Sequence, residues 1–200
     1  MRILTTVLLV VFCAAASARA QGLEKGVRGG ITYAKTSASG EGEAAGLDWQ
    51  IRGVFGGFVT WRFMSWLELQ PEVLYVMKGA RSEDIVDTKL LLDYLEVPLL
   101  ARVTRGRAGG TRYYLAGGPS VGYLLRGKTR ADFGGSIEEI DIKDELEPVD
   151  VGLVITGGVE FGSIVVDGRY THGLSNIDKE SSEGQEVRNR AVSVTVGIRF

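Results

Sequence analysis

The sequence of 200 residues has almost no cysteine and almost no histidine. It contains one cysteine, Cys13, and one histidine, His172. A disulfide needs two cysteines, and the usual zinc sites draw three or four ligands from cysteine, histidine and carboxylates. The composition therefore indicates neither a disulfide-stabilised fold nor a metalloenzyme. We expect no metal and no cofactor.

Long hydrophobic runs are also scarce. The one clear run, 3–16, is shorter than the roughly 20 residues that a spanning helix needs. It follows the positive Arg2 and precedes Ala18-Arg19-Ala20, a small-x-small cleavage site. This pattern predicts a secretory signal peptide over 1–20, whose removal leaves one exported domain over 21–200.

The chain has no large net charge of either sign, whereas glycine is abundant. The formal net charge of −2 is too small to suggest a nucleic-acid partner. The 28 glycines and only 4 prolines suit twisted, closely packed strands better than helices. If the exported domain crosses a membrane, it therefore crosses with strands.

Eight segments alternate apolar residues with small or polar ones. Side chains of a strand point to opposite faces in turn, so each segment predicts a strand between an apolar and a polar medium. Even strand numbers are typical of bacterial single-chain outer-membrane barrels. The fold class that we predict is all-β: an eight-stranded antiparallel up-and-down transmembrane β-barrel. Its strands are 25–34, 51–63, 66–79, 89–103, 112–126, 149–161, 164–172 and 190–200.

The connections between these segments alternate in length. Outer-membrane barrels have short periplasmic turns and long external loops, which predicts periplasmic termini here. The short connections are 64–65, 104–111 and 162–163, and the long ones are 35–50, 80–88, 127–148 and 173–189. Connection 127–148 carries seven acids and three bases. It is interpreted as a solvated surface, a site for divalent cations that bridge lipopolysaccharide, or a site for a protein partner.

Aromatic residues cluster near both ends of the apolar strand faces. Amphipathic rings prefer the two membrane interfaces, so they predict two aromatic girdles. The external girdle comprises Tyr33, Tyr75, Tyr123 and Tyr170, and the periplasmic girdle comprises Trp61, Phe63, Tyr113, Phe161 and Phe200. Phe200 also resembles the terminal aromatic that the barrel-insertion machinery reads. We therefore expect Phe200 to act as an insertion signal and that machinery to be a partner.

The polar strand faces carry charges of both signs. A soluble barrel or sandwich, which buries its apolar face, is the competing fold. An interior accepts this many ions only if they pair, so we predict a closed interior without an open channel. The predicted charge network comprises Arg52, Arg62, Glu68, Glu72, Glu96, Arg102, Arg112, Glu160, Asp167, Arg169 and Arg199, with Arg28 and Asp150 on the same face.

Four segments together resemble the PorT-like outer-membrane β-barrel family. They are 94–103 (YLEVPLLARV), 114–125 (YLAGGPSVGYLL), 151–162 (VGLVITGGVEFG) and 168–177 (GRYTHGLSNI). The resemblance spans nearly the whole exported domain and implies an eight-stranded outer-membrane barrel. The member that names the family takes part in secretion of tagged cargo, so an accessory role in secretion or envelope assembly is implied as an alternative. No catalytic residue is implied.

A chemical role has one candidate pair. His172 ends the seventh segment and Ser175 lies three residues further along, and a histidine beside a serine is the logic of an activated nucleophile. A lipid-A-modifying barrel enzyme is thus a third hypothesis, although no acid is obviously placed to orient the ring. We predict no enzyme. We expect a structural or surface-interaction barrel in the outer membrane of a Gram-negative envelope, in contact with membrane lipid and lipopolysaccharide.

Overall fold

The computed structural model shows nine strands and one short 3₁₀-helix within the residues that it describes. Those residues are 23–39, 49–82, 87–107, 110–132, 137–177 and 186–200; the predicted signal peptide 1–20 lies outside them. The strands are β1 (Leu23–Ser39), β2 (Gln50–Arg62), β3 (Leu67–Ser82), β4 (Asp87–Gly106), β5 (Thr111–Asp132), β6 (Ile137–Asp141), β7 (Val149–Phe161), β8 (Ile164–Gly173) and β9 (Glu186–Arg199). In these ranges no helix has the length and apolar character needed to cross a bilayer.

Eight of the strands close into a barrel. The hydrogen-bonded order is β4-β3-β2-β1-β9-β8-β7-β5-β6, and β4 also pairs with β5. All neighbours are antiparallel, and β9 pairs with β1 from Gly26↔Arg199 to Ser39↔Glu186. The predicted eight-stranded antiparallel barrel is therefore confirmed, and β6 is an addition to β5 outside the closed circuit.

The barrel is polar inside and apolar outside. In β7, Val151, Leu153 and Ile155 are 40%, 48% and 60% exposed, whereas Asp150 and Thr156, which flank this run on the opposite face, are buried. A water-soluble barrel would have the opposite arrangement, with its apolar side chains enclosed. The soluble alternative is therefore wrong for this fold.

The strands extend beyond their predicted ends at the end of the barrel that carries the long connections, here called the long-loop end. Segment 127–148, predicted as a loop, contains the last six residues of β5, all of β6 and a 3₁₀-helix, Lys143–Glu145. Residues 80–88 likewise contribute to β3 and β4. Strands that rise out of a membrane have water on both faces, so the alternation that marks a spanning strand disappears there.

Prolines interrupt the wall on three neighbouring strands. Pro71 in β3, Pro98 in β4 and Pro119 in β5 have no N–H to give to a ladder. The ladder pairing is interrupted between residues 59–60 of β2 and 70–71 of β3. It is interrupted again between 72–73 of β3 and 97–98 of β4, and between 99–100 of β4 and 118–119 of β5. The backbone is therefore less tightly paired in this part of the wall.

Candidate functional site

The interior near the short turns is centred on Glu160. This carboxylate is fully buried and forms ion pairs with Arg102, with Arg112 at 3.0 Å and with Arg199 at 2.8 Å. The guanidinium of Arg102 also lies 3.8 Å from the ring centroid of Tyr114. One buried acid thus joins bases from β4, β5 and β9.

Glu68 is the second acid at this end of the interior. It accepts hydrogen bonds from Arg62 at 3.0 Å, Arg112 at 2.9 Å and the Thr104 hydroxyl at 3.0 Å. Glu24 accepts from Arg62 at 3.1 Å and links it to the first strand. Because Arg112 contacts both Glu68 and Glu160, the two acids belong to one network.

The middle of the barrel holds a second group of ion pairs, which Gln70 links to the first through hydrogen bonds with Arg102 and Glu72. Arg28 lies 3.0 Å from Asp167 and 3.5 Å from Glu72, and Arg169 lies 2.7 Å from Glu72. The Tyr114 hydroxyl donates to Asp167 at 2.7 Å. Each acid here is therefore bound to at least one guanidinium, as burial of a charge requires.

At the long-loop end, Asp150 of β7 is contacted by donors from three other parts of the chain. Lys78 lies 3.3 Å from Asp150 and 2.5 Å from Glu96. Ser175 and Asn189 donate to Asp150 at 3.0 Å and 2.9 Å. The ends of β3, β7 and β9 and the connection after β8 are thereby held together by polar contacts.

Asp93 is buried where the sequence pattern predicts an outward position. In the alternating pattern Asp93 falls on the same strand face as Leu91 and Leu95, but the register between β4 and β5 shifts at Asp93/Tyr94. Asp93 accepts from Arg52 at 2.7 Å and from the Tyr75 hydroxyl at 3.0 Å. The irregularity thus provides an ion pair that strict alternation could not reveal.

The structure brings every residue of the predicted charge network into at least one ion pair. Sequence reasoning missed three further participants, Glu24, Lys78 and Asp93. Lys78 could have been found, because it lies on the polar face of its strand with Glu72. Glu24 precedes the first predicted segment, and Asp93 lies at the register shift, so alternation gave no signal for either.

An apolar cluster covers the interior at the long-loop end. Ile177, from the connection between β8 and β9, is only 1% exposed and packs with Leu92, Tyr94 and Leu124. Leu146 packs against the same cluster, and the Glu147 N–H donates to the Ile177 carbonyl at 2.9 Å. The connections before β7 and after β8 therefore fold over the barrel mouth.

The predicted girdle residues lie on the outer face at the two ends of the barrel. Near the short turns, Tyr113 and Phe200 are 62% and 67% exposed, and Trp61 contacts Phe63 with ring centroids 4.4 Å apart. At the long-loop end, Tyr33 stacks on Trp49 at 4.8 Å. Tyr75 and Tyr123 in the same group are half-buried.

The candidate catalytic pair is not assembled. The ring of His172 lies against Tyr170, whose hydroxyl is 3.2 Å from the His172 Nδ1. Ser175 donates to Asp150 and accepts from the Val151 N–H at 2.9 Å. The two side chains thus bond to different partners. The described ranges also contain no group of three or more histidine, cysteine, aspartate or glutamate side chains that could hold a metal ion.

Comparison with known families identifies the family of this barrel, which is polar inside and apolar outside. Residues 15–179 match the family model described as outer membrane protein beta-barrel domain. The chain belongs to this family. Membership agrees with the apolar outer surface and places the barrel in the outer membrane.

The chain is similar to solved outer-membrane barrels. OprG from Pseudomonas aeruginosa has a TM-score of 0.51 and 12% identity, and the match covers 90% of this chain and 97% of OprG. Neisserial surface protein A has a TM-score of 0.48 and 16% identity, and the match covers 90% of this chain and 100% of that protein. Ail of Yersinia pestis has a TM-score of 0.45 and 14% identity, and the match again covers 90% of this chain and 100% of the other. No curated protein sequence matches the chain.

Proposed function

We propose that this barrel is a closed, non-catalytic outer-membrane protein with a structural or surface-interaction role. The observation that carries the proposal is its filled interior. Arginine–carboxylate networks occupy the lumen, and the cluster around Ile177 covers its mouth. An eight-stranded barrel has an interior just wide enough for side chains to fill, so these groups leave little room for a channel or a substrate.

The surface that supports an interaction role is the extension formed by β5 and β6. Ile137 and Ile140 of β6 are 53% and 59% exposed. Within the described residues, β6 pairs only with β5, and such strand edges can accept another strand. We therefore favour a protein partner at this extension, with the long-loop end external and the short turns periplasmic.

The charges of the extension favour a protein over a divalent cation. Glu139 accepts a hydrogen bond from Lys128 at 3.1 Å and lies 4.0 Å from both Arg126 and Arg130. A carboxylate that is already surrounded by bases is a poor calcium or magnesium ligand, because these ions need several available oxygens.

An accessory role in secretion or envelope assembly is the second candidate. Its support is the PorT-like resemblance of the four sequence segments, and fold-level likeness alone does not establish such a role. An accessory barrel would meet its machinery through the periplasmic turns, whereas a surface-interaction barrel would meet its partner through β6.

Site-specific photocrosslinking in living cells separates the two candidates. A crosslinker replaces Glu138 in β6 or, as the matched position at the other end, Ser65 in the turn between β2 and β3. Adducts from position 138 with one defined external protein would support the surface-interaction role. Adducts from position 65 with secretion components would support the accessory role, and the absence of adducts at both would contradict both.

The closed interior is tested by conductance. In planar bilayers the purified barrel is expected to pass no steady ionic current, because paired side chains fill its cross-section. A stable open channel in the unmodified protein would overturn the proposal of a closed barrel.

A further inference from the structure

A groove lies in the barrel wall beside the interrupted ladders. It has a volume of about 290 Å³ and is bordered by β1, β2, β3 and β4. Val59, Val73 and Val97 line it, all at positions whose neighbours along the strand point inward. Pro71 also lines the groove, which places it where the β2–β3 and β3–β4 ladders are broken.

Small residues give the groove its depth. Gly57 lies on the outward parity of β2, between Phe55 and Val59. A Cβ atom at Gly57 would have the Gly26 carbonyl oxygen as its nearest neighbour, at 3.4 Å. There is thus space above Gly57 that a side chain could occupy without displacing the backbone.

The end of the groove nearest the short turns carries a cation. Lys25 is exposed, and its Nζ lies 5.4 Å from the ring centroid of Phe200. Two backbone hydrogen bonds, from Phe200 N–H to the Lys25 carbonyl at 2.8 Å and from Lys25 N–H to the Phe200 carbonyl at 3.3 Å, fix the pair at the strand end. The ammonium group is therefore held beside a girdle aromatic.

The groove has one acidic neighbour, Glu72, which does not compete for this cation. The side chain of Glu72 is buried, and its carboxylate oxygens lie 3.5 Å from Arg28 and 2.7 Å from Arg169. Its charge is directed to the interior. The groove is thus apolar along its length and carries one positive group, the Lys25 ammonium, at its end near the membrane interface.

We propose that this groove binds one anionic phospholipid, with an acyl chain along Val59, Val73 and Val97 and the phosphate at Lys25. Everything outside the wall at this depth is bilayer, and a basic side chain near the membrane surface attracts anionic lipid. The site needs no partner at the long-loop end. Its assignment to the periplasmic leaflet, where the lipid is a phospholipid, rests on the orientation in the proposed function.

Native mass spectrometry of the purified barrel tests the site directly. Detergent-solubilised protein is mixed with phosphatidylglycerol or phosphatidylcholine of the same acyl chains. The unmodified barrel is expected to retain one phosphatidylglycerol in preference to phosphatidylcholine. Lys25→Gln should weaken phosphatidylglycerol retention about fivefold, the effect of one cation near a membrane surface. Gly57→Leu should abolish retention of both lipids.

Two control variants match these changes elsewhere on the outer face. Arg105→Gln removes an exposed cation at the same end of the barrel from β4, and Gly168→Leu adds the same side chain on β8, where a Cβ meets nothing within 4 Å. Both should retain lipid as the unmodified barrel does, and all variants should keep their heat-dependent gel shift. Undiminished lipid binding by Gly57→Leu would overturn the proposal, as would equal losses from Lys25→Gln and Arg105→Gln. A lipid-free dimer that Gly57→Leu disrupts would also overturn it, because the occupant would then be a second copy.

Discussion

At the scale of single residues, the interior acids are the most consequential groups of this barrel. Each pairs with at least one base from another strand, so that removing an acid takes a partner from at least one cation. Glu160 is the clearest case, since it bridges Arg102, Arg112 and Arg199. Burial makes such losses costly, because water cannot replace the missing partner.

Replacing Glu160 with alanine is therefore expected to destabilise the folded barrel by about 3–5 kcal/mol, the usual cost of removing one partner of a buried ion pair. The measurement is urea unfolding in lipid vesicles or micelles. The control Glu138→Ala removes an exposed acid of β6 and should change stability by no more than about 0.5 kcal/mol. Equal unfolding midpoints for the two variants would show that the network contributes little.

A surface acid offers a pH prediction. The hydrogen bond from Lys128 and the charge of that lysine hold the pKa of Glu139 below its usual range. A depressed pKa in the folded state means that this contact supports the β5–β6 extension above the ordinary glutamate pKa, and that the support is lost as pH falls through the lowered value.

Titration by NMR should show the pKa of Glu139 rising towards its ordinary value in Lys128→Gln. Lys143→Gln removes another base of the same segment and should leave the Glu139 pKa unchanged. A Glu139 pKa that is insensitive to Lys128→Gln would contradict the contact.

At the residue scale, the sequence predicted the interior charges where alternation holds and failed where it breaks. Glu72 and Arg169 follow the two-residue period of their strands, so their faces could be assigned from the pattern. Asp93 could not, because the register shift between β4 and β5 depends on how two distant segments pair. Such pairing is a tertiary property that one strand's sequence does not encode.

At the scale of elements, the strands were predictable within the membrane and less so outside it. The core of every barrel strand shows contrasting faces, since lipid lies on one side and the packed interior on the other. The extension of β5 past residue 126, and β6, lack this contrast. Their acidic and basic residues were therefore interpreted as a loop, although they pair as a hairpin.

Glycine positions where strands approach closely give an element-scale prediction. A Cβ at Gly30 in β1 would lie 2.0 Å from the Val194 carbonyl oxygen of β9. Gly30→Ala should force these strands apart and destabilise the barrel by about 1–3 kcal/mol. Gly168→Ala in β8 meets no atom within 4 Å and should be close to neutral. Urea midpoints of the two variants make the comparison, and an equally stable Gly30→Ala would contradict the close approach.

The last strand carries a prediction about assembly. The Phe200 side chain is 67% exposed, and its backbone provides the hydrogen bonds to Lys25. Phe200→Ala should therefore lower the yield of assembled barrel in the outer membrane while leaving the urea midpoint of the assembled fraction nearly unchanged. Ile198→Ala, which truncates an exposed residue of β9, is the control for general loss of apolar surface. Normal yield with Phe200→Ala would argue against an insertion signal.

At the scale of the whole molecule, the pairing of β1 with β9 closes the barrel and is its most consequential contact. It leaves no open edge in the eight-stranded circuit and encloses the ion pairs of Glu72 and Glu160. The unboiled protein should therefore migrate as a compact barrel on a denaturing gel and shift to the unfolded position on boiling, and it should fractionate with the outer membrane. Recovery as a soluble periplasmic monomer without a shift would contradict this arrangement.

The ion pairs between early and late strands also bear on the order of events during export. Arg199 donates to Glu24 across 175 residues of sequence, and Arg28 donates to Asp167 across 139. Export through the predicted signal peptide would deliver Glu24 and Arg28 to the periplasm before these two partners, Arg199 of β9 and Asp167 of β8. Until β8 and β9 arrive, we expect water to hydrate the parts of these two side chains that Asp167 and Arg199 later contact. We therefore expect charges that stabilise the finished barrel also to favour solubility of the chain before the barrel closes.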